Sequence, residues 1–176
     1  KIFRSALGSP DPYGRQLDGI GGGQSSLSKI AIVAPSDRPD ADVDFTFAQV
    51  GVKDDSVGYR GNCGNIISAV GPFAIDEGLV DAPGKDATVR IFNTNTKKLI
   101  VATFALEGGK AAVSGDFLLP GIASPGAPVR LSFVNPGGAA TGRLLPTGNA
   151  RDVLQMDDGS RIDASLIDAA NPLVAL

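Results

Sequence analysis

Apolar residues fall along this chain in short runs rich in Val, Ile and Phe, broken repeatedly by Gly and Pro. Short runs of this kind between turn signals predict β-strands. Ile30–Val33, Val43–Val50, Thr88–Asn93, Leu99–Leu106, Val129–Val134, Asp152–Met156 and Ile162–Ile167 all fit. The turn pairs Asn95-Thr96, Gly108-Gly109 and Asp158-Gly159 fall between them and suggest an antiparallel meander. Asn171–Leu176 has the pattern of a strand interior. One segment departs from this rhythm. Asn65–Glu77 is long, apolar on nearly every side and bounded by Gly64 and Gly78. A helix apolar all round belongs inside something. Pro72 either kinks it or sits where a freed carbonyl is tolerated. Gly8–Ser28 is too rich in Gly, Ser and Pro to be regular and predicts a loop that ends where the next strand begins. The expected architecture is an α+β lobe, a mostly antiparallel sheet wrapped around a central buried helix.

Composition narrows the function classes. The length of 176 residues suits one domain or one lobe, and 43% apolar residues can supply a core. Charged residues make up 20% and are interspersed, which argues against disorder. The net charge is −3 without a basic cluster, and there is no Trp to build a stacking platform, so no nucleic-acid partner is expected. No apolar run reaches the roughly 18 residues of a membrane span, and no signal peptide is visible. One cysteine cannot form an internal disulfide, which fits a reducing cytoplasm. Histidine is absent, which removes Cys-His and Ser-His catalysis and most zinc sites; no metal site is expected. The chain opens at Lys1 without Met and ends inside a strand-like run, which predicts a fragment of a longer polypeptide.

Three places carry candidate chemistry. Gly61-Asn62-Cys63-Gly64-Asn65 puts the thiol at a Gly-flanked turn ahead of the helix. A helix start carries unpaired N–H groups and the positive end of the dipole, and both stabilise a thiolate or a bound carboxylate. The turn is therefore a candidate active-site loop for an acidic substrate; the plainer reading is a buried structural cysteine. Gly21-Gly22-Gly23-Gln24-Ser25-Ser26-Leu27-Ser28-Lys29 resembles a phosphate-binding loop only at a glance, because Ser28 precedes the Lys and Ile30 follows it. Its consecutive N–H groups can still form an anion nest, with hydroxyl donors from Ser25, Ser26 and Ser28. Lys29 sits where that loop enters the apolar run Ile30–Val33. Such a lysine either snorkels to the surface or is held partly desolvated, and desolvation favours the neutral amine a general base needs.

Gly8-Ser9-Pro10-Asp11-Pro12-Tyr13-Gly14-Arg15-Gln16-Leu17-Asp18-Gly19, Ser28-Lys29, Asn62-Cys63-Gly64-Asn65 and Gly71-Pro72-Phe73-Ala74-Ile75 together resemble the PrpF-type isomerases. These include 2-methylaconitate and 3-methylitaconate isomerases, 4-oxalomesaconate tautomerases and aconitate isomerases. Gly126-Ala127-Pro128-Val129, Pro136-Gly137-Gly138, Thr141–Gly148 and Asp168-Ala169-Ala170-Asn171-Pro172 are similar to that family too, so the resemblance covers nearly the whole chain.

The resemblance implies a diaminopimelate-epimerase-like fold: two lobes, each a sheet around a helix, with the active site between them. Residues 1–176 would be most of the N-terminal lobe, with an opening segment and the second lobe absent. It further implies that Lys29 is the catalytic lysine and Cys63 the first-lobe acid/base cysteine. Asn62, Gly64 and Asn65 would form the turn that contacts a substrate carboxylate. Ser28 would flank the lysine, and the Asn171 turn would lie near the site. The implied reaction moves a C=C bond by one carbon in an unsaturated di- or tricarboxylate: a base removes an allylic proton and returns one two carbons away. N–H groups of Gly64, Asn65 and Ile66 would stabilise the dienolate. This scheme requires neither metal nor organic cofactor, and a homo-oligomer is compatible with it. Two other readings stay open: an amino-acid epimerase or racemase of the same fold, although Ile66 stands where those enzymes carry Gly, and a noncatalytic carboxylate-binding lobe. Asp11 and Asp18 are expected to tie loop turns, and Arg15 to be a solvated charge or a carboxylate contact.

Overall fold

Alternating side chains organise the larger part of the molecule, a computed structural model that describes Lys1–Leu176. In chain order the elements are α1 (Ile2–Leu7), a 3-10 turn (Ser25–Leu27), β1 (Lys29–Pro35), β2 (Val43–Val50), β3 (Val57–Gly58) and α2 (Gly64–Asp76). β4 (Asp86–Asn93), β5 (Lys98–Glu107), β6 (Lys110–Ala111), β7 (Val129–Phe133), β8 (Asp152–Gln155), β9 (Arg161–Ala169) and β10 (Asn171–Ala175) follow. Every predicted strand forms. α1, β3 and β6 were not anticipated; each is a short piece without a periodic signal of its own.

β1 to β7 make one sheet in the order β1-β2-β4-β5-β6, with β3 beside β2 and β7 beside β5. β4, β5 and β6 are the expected antiparallel meander. β2 and β4, however, are parallel, with Val43 opposite Ile91 and Phe45 opposite Asn93. A parallel pair needs a crossover of a dozen or more residues, and α2 lies in that crossover. The helix is thus placed against the sheet by the topology of its own flanking strands.

The core lies between α2 and one sheet face. Val43, Phe45 and Phe47 of β2, Ala87, Val89 and Ile91 of β4, and Ile100, Ala102 and Phe104 of β5 meet Ile67, Val70, Ala74 and Ile75 of α2. Gly71 sets the closeness of that contact: a Cβ there would stand 2.9 Å from the Phe104 ring and 3.0 Å from the Ala102 methyl. Pro72 lies inside the helix, which runs on to Asp76. The carbonyl it frees is that of Ser68, a partly exposed residue. The helix is not enclosed on every side as its sequence suggested. Phe73 is half exposed, and with Ala31, Val33, Ile66, Ala69 and Val70 it lines an open apolar cavity of about 120 Å³. The cause is the position of β1, an edge strand with no neighbour beyond it.

β8, β9 and β10 form a separate antiparallel sheet in which only Ala164 and Asp168 are buried. The Asp168 carboxylate is its anchor: Oδ2 accepts from the N–H groups of Ala140 and Thr141 and from the Thr141 hydroxyl, at 2.6–2.9 Å. No helix of the chain is long and apolar enough to cross a membrane.

Candidate active site

The loop before β1 is built to fix the approach to Lys29. The Asp11 carboxylate accepts from the backbone N–H groups of Tyr13, Arg15 and Gln16. Those of Tyr13 and then Arg15 are the main reason its carboxyl stays below the usual carboxylate range. Gln16 is held at φ 50° with 1% of its surface exposed. Its Nε2 donates to the hydroxyls of Ser9 and Ser28, both at 2.8 Å, and its Oε1 accepts from the Gly23 N–H at 2.9 Å. Gly21 makes room for it, since a Cβ there would come within 2.4 Å of the Gln16 amide. From the other side, Gln49 Nε2 donates to the carbonyls of Ser25 and Ser28. The residue before Lys29 is therefore pinned twice. The Ser28 side chain has no exposed surface and its hydroxyl accepts from Gln16 Nε2, so within this lobe it ties the loop that leads into Lys29. Arg15 is exposed and forms no ion pair.

Lys29 begins β1 and lies opposite Gln49 of β2. Its Nζ donates to Cys63 Sγ at 3.1 Å, across 34 residues of sequence. Cys63 is the N-cap of α2 in extended conformation, φ −133° and ψ 99°, and makes no side-chain capping bond. The thiol is buried at the edge of the core, and the Cys63 carbonyl accepts the first bond of the helix, from Ile67. The N–H groups of Gly64, Asn65 and Ile66 have no acceptor within the protein. Gly64 and Asn65 are exposed, and nothing lies within 4 Å of where a Gly64 Cβ would be. Ile66 turns its side chain into the apolar cavity under Phe73. An amine, a thiol and three free N–H donors thus share one surface, a combination suited to an anion that must gain or lose a proton.

Asn62 joins this surface through residues of three other segments. Its backbone N–H donates to Asn171 Oδ1 at 3.2 Å, which places the Asn171 turn beside the cysteine loop. Its side-chain oxygen accepts from Asn93 Nδ2 at 2.9 Å. Asn93 is fully buried, and its own oxygen accepts from the N–H groups of Asn95 and Thr96. Asn95 in turn brackets β2, accepting from the Phe47 N–H and donating to the Phe47 carbonyl, and also donates to the Tyr59 carbonyl at 2.7 Å. The sequence reads Asn93 as the end of a strand and Asn95-Thr96 as a turn, with no role at the site. A signal was present: Asn93 falls on the inward parity of Ala87, Val89 and Ile91, where a polar residue needs a reason. Gln16 and Gln49 were missed for want of any comparable pattern.

No cluster of three or more His, Cys, Asp or Glu side chains could hold a metal. Grooves of about 410 Å³ beside Asp81 and Gly109, about 390 Å³ beside Asp86, Thr103 and Arg130, and about 350 Å³ beside Ser68 and Phe117 do not include Lys29 or Cys63. Lys29 is partly exposed, whereas the Cys63 thiol is buried.

Comparison with known proteins places this geometry. The structure superimposes on the crystal structure of a methylitaconate-delta-isomerase with a TM-score of 0.82 at 50% identity, over 98% of this chain and 44% of that one. A probable proline racemase from Agrobacterium radiobacter shares the fold alone, with a TM-score of 0.50 at 17% identity over 85% of this chain and 33% of the other. By sequence, the chain is 51% identical over 174 residues to a 3-methylitaconate isomerase of Eubacterium barkeri, covering 99% of this chain and 45% of that protein. It is 43% identical to a 2-methyl-aconitate isomerase of Cupriavidus necator, over 98% of this chain and 46% of the relative. The 4-oxalomesaconate tautomerase of Pseudomonas putida is also 43% identical, over 100% and 47% respectively. The chain therefore spans about half the length of the curated relatives it matches. The sequence profile of the family described as PrpF protein matches residues 1–176, and the chain belongs to that family.

Proposed function

We propose that this chain is the lysine-bearing lobe of a cofactor-independent isomerase that shifts a C=C bond in an unsaturated di- or tricarboxylate by 1,3-allylic proton transfer. The observation that carries the reading is the 3.1 Å contact between Lys29 Nζ and Cys63 Sγ beside the free N–H groups of Gly64, Asn65 and Ile66. Relatives of the same family named for methylitaconate, methylaconitate and oxalomesaconate support the substrate class.

In this scheme the substrate carboxylate rests on the free N–H groups and the Asn62 amide. Lys29, as the neutral amine, takes the allylic proton. The electron pair left on carbon delocalises through the double bond into the neighbouring carboxylate, and the dienolate is held by donors already in place. The Lys29 ammonium returns a proton to the carbon two positions away. Cys63 orients the amine through its 3.1 Å contact and ends the cycle unchanged. Atoms balance, with no net gain or loss of electrons. The exposure of Gly64 and Asn65 and the partial exposure of Lys29 are the reason to place a second lobe opposite them: a dienolate needs exclusion of water, and this lobe provides only one wall. Residues 1–176 then act as most of the N-terminal lobe of a two-lobe cytoplasmic enzyme.

Proton NMR in D2O of the full-length protein with trans-aconitate, 2-methylaconitate, methylitaconate and oxalomesaconate tests the reading. One acid should take up deuterium at an allylic carbon and develop a new vinyl signal. Absence of exchange in all four would remove the reaction from consideration for this substrate class.

A further inference from the structure

The amide of Asn62 can turn either its oxygen or its nitrogen outward, and the choice decides whether the turn before Cys63 attracts or repels a carboxylate. We propose that Asn93 makes that choice: it is a positioning residue that fixes Asn62 as a hydrogen-bond donor toward an anionic ligand. The inference rests on the polycarboxylate reading above.

Amide orientation is assigned by its partners. The Asn93 oxygen receives two backbone N–H groups, from Asn95 at 2.9 Å and Thr96 at 3.3 Å. Backbone N–H groups can only donate, so Asn93 must present its nitrogen elsewhere. That nitrogen donates to Asn62 Oδ1 at 2.9 Å. The Asn62 oxygen is thereby committed inward, and its Nδ2 hydrogens remain without an acceptor in the protein. Asn62 is only partly buried, whereas Asn93 has no exposed surface. Polarity thus passes from the Asn95 and Thr96 backbone through a buried amide to a surface amide adjoining Cys63. The Asn171 oxygen, on the Asn62 backbone N–H, and the Asn95 amide, on the Tyr59 carbonyl, hold the same loop at two further points, so it cannot readily turn to undo the arrangement.

Asn93→Asp separates this role from a purely structural one. The aspartate keeps an oxygen for the Asn95 and Thr96 N–H groups, so the turn can persist, but it has only acceptors to offer Asn62. The Asn62 amide would then flip and face the ligand with its oxygen. Calorimetry in the full chain with propane-1,2,3-tricarboxylate, a saturated acid that cannot isomerise, should show affinity weakened about tenfold to a hundredfold. With an acid that turns over, KM should rise by a similar factor and kcat change less. In an Asn62→Ala background, Asn93→Asp should add less than about twofold, because one residue acts through the other. Should Asn93→Asp fold poorly, Asn62→Asp carries the test alone: it retains an oxygen for Asn93, offers no donor to the ligand, and should lose affinity to the same extent. Undiminished affinity in Asn62→Asp, an Asn93→Asp effect that persists in full without the Asn62 amide, or a wild-type protein that binds no tricarboxylate would each overturn the proposal. Tricarboxylate binding that depends on both asparagines, without turnover of any acid, would uphold it and sink the isomerase reading alone.

Discussion

β4 and β9 are strands of similar length with similar alternation, and they end in different states. β4 buries Ala87, Val89, Ile91 and Asn93 beneath α2, whereas β9 buries only Ala164 and Asp168. Leu173, Val174 and Leu176 beside β9 remain about half exposed or more, at 49%, 56% and 84%. Alternation is enough to specify a strand. A core also needs a cover, and only the first sheet has one, because its β2–α2–β4 crossover lays a helix on it. The second sheet is covered only in part, where Ala164 and Asp168 lie buried on one face of β9. The Cys63 loop is tied to both regions, through Asn93 and Asn95 to the first sheet and through Asn171 to the second. The site is thus tied to both sheets, by side-chain hydrogen bonds to the covered one and by Asn171 to the other.

Substitutions should expose this asymmetry. Phe45→Ala in the first sheet removes a fully buried ring and should cost about 3–5 kcal/mol in denaturant unfolding. Gly71→Ala forces a methyl against Phe104 and Ala102 and should cost about 1–3 kcal/mol, unless the helix shifts outward.

Asp168→Ala should loosen the second sheet by about 1–3 kcal/mol by removing the acceptor of three donors. Burial opposes the charge on Asp168, but the N–H groups of Thr141 and Ala140 and the Thr141 hydroxyl outweigh it and hold the carboxyl below the usual carboxylate range. A lowered folded value means that this stabilisation is present above the unfolded value of about 3.9 and is lost as pH falls through the folded one. Amides of β8–β10 should therefore exchange faster below about pH 4, and Asp168→Asn should flatten that dependence.

Smaller effects sharpen the contrast. Asn171→Ala should cost about 1 kcal/mol or less in stability while weakening carboxylate binding, since it frees the Asn62 backbone. Leu173→Ala, half exposed on an uncovered strand, should stay within about 0.5 kcal/mol. A large loss there would mean that the second sheet is covered in solution.

The sequence made the strands legible because burial on one face imposes period two on β2, β4 and β5. It also located Lys29 and Cys63, through a loop-to-strand junction and a Gly-flanked helix start. It missed the parallel pairing of β2 with β4, because apolar alternation carries no direction. It overstated the enclosure of α2, because an apolar side chain such as Phe73 reports an affinity for cover without saying whether cover is present. It gave no hint that Ser28 is buried against Gln16, a contact that no local pattern announces. The asparagine relay was hidden for a related reason: Asn93 satisfies a turn and orients a site residue at once, and only the first role has a sequence signature.

The most direct test of the central claim is deuterium wash-in at the allylic carbon of the acid that turns over, compared between wild type and Lys29→Ala at saturating substrate. The amine–thiol arrangement predicts that Lys29→Ala keeps its affinity for the acid within about tenfold and loses exchange by a factor of about 100 or more. Exchange at the wild-type rate in Lys29→Ala would contradict the account and move the proton chemistry to another residue.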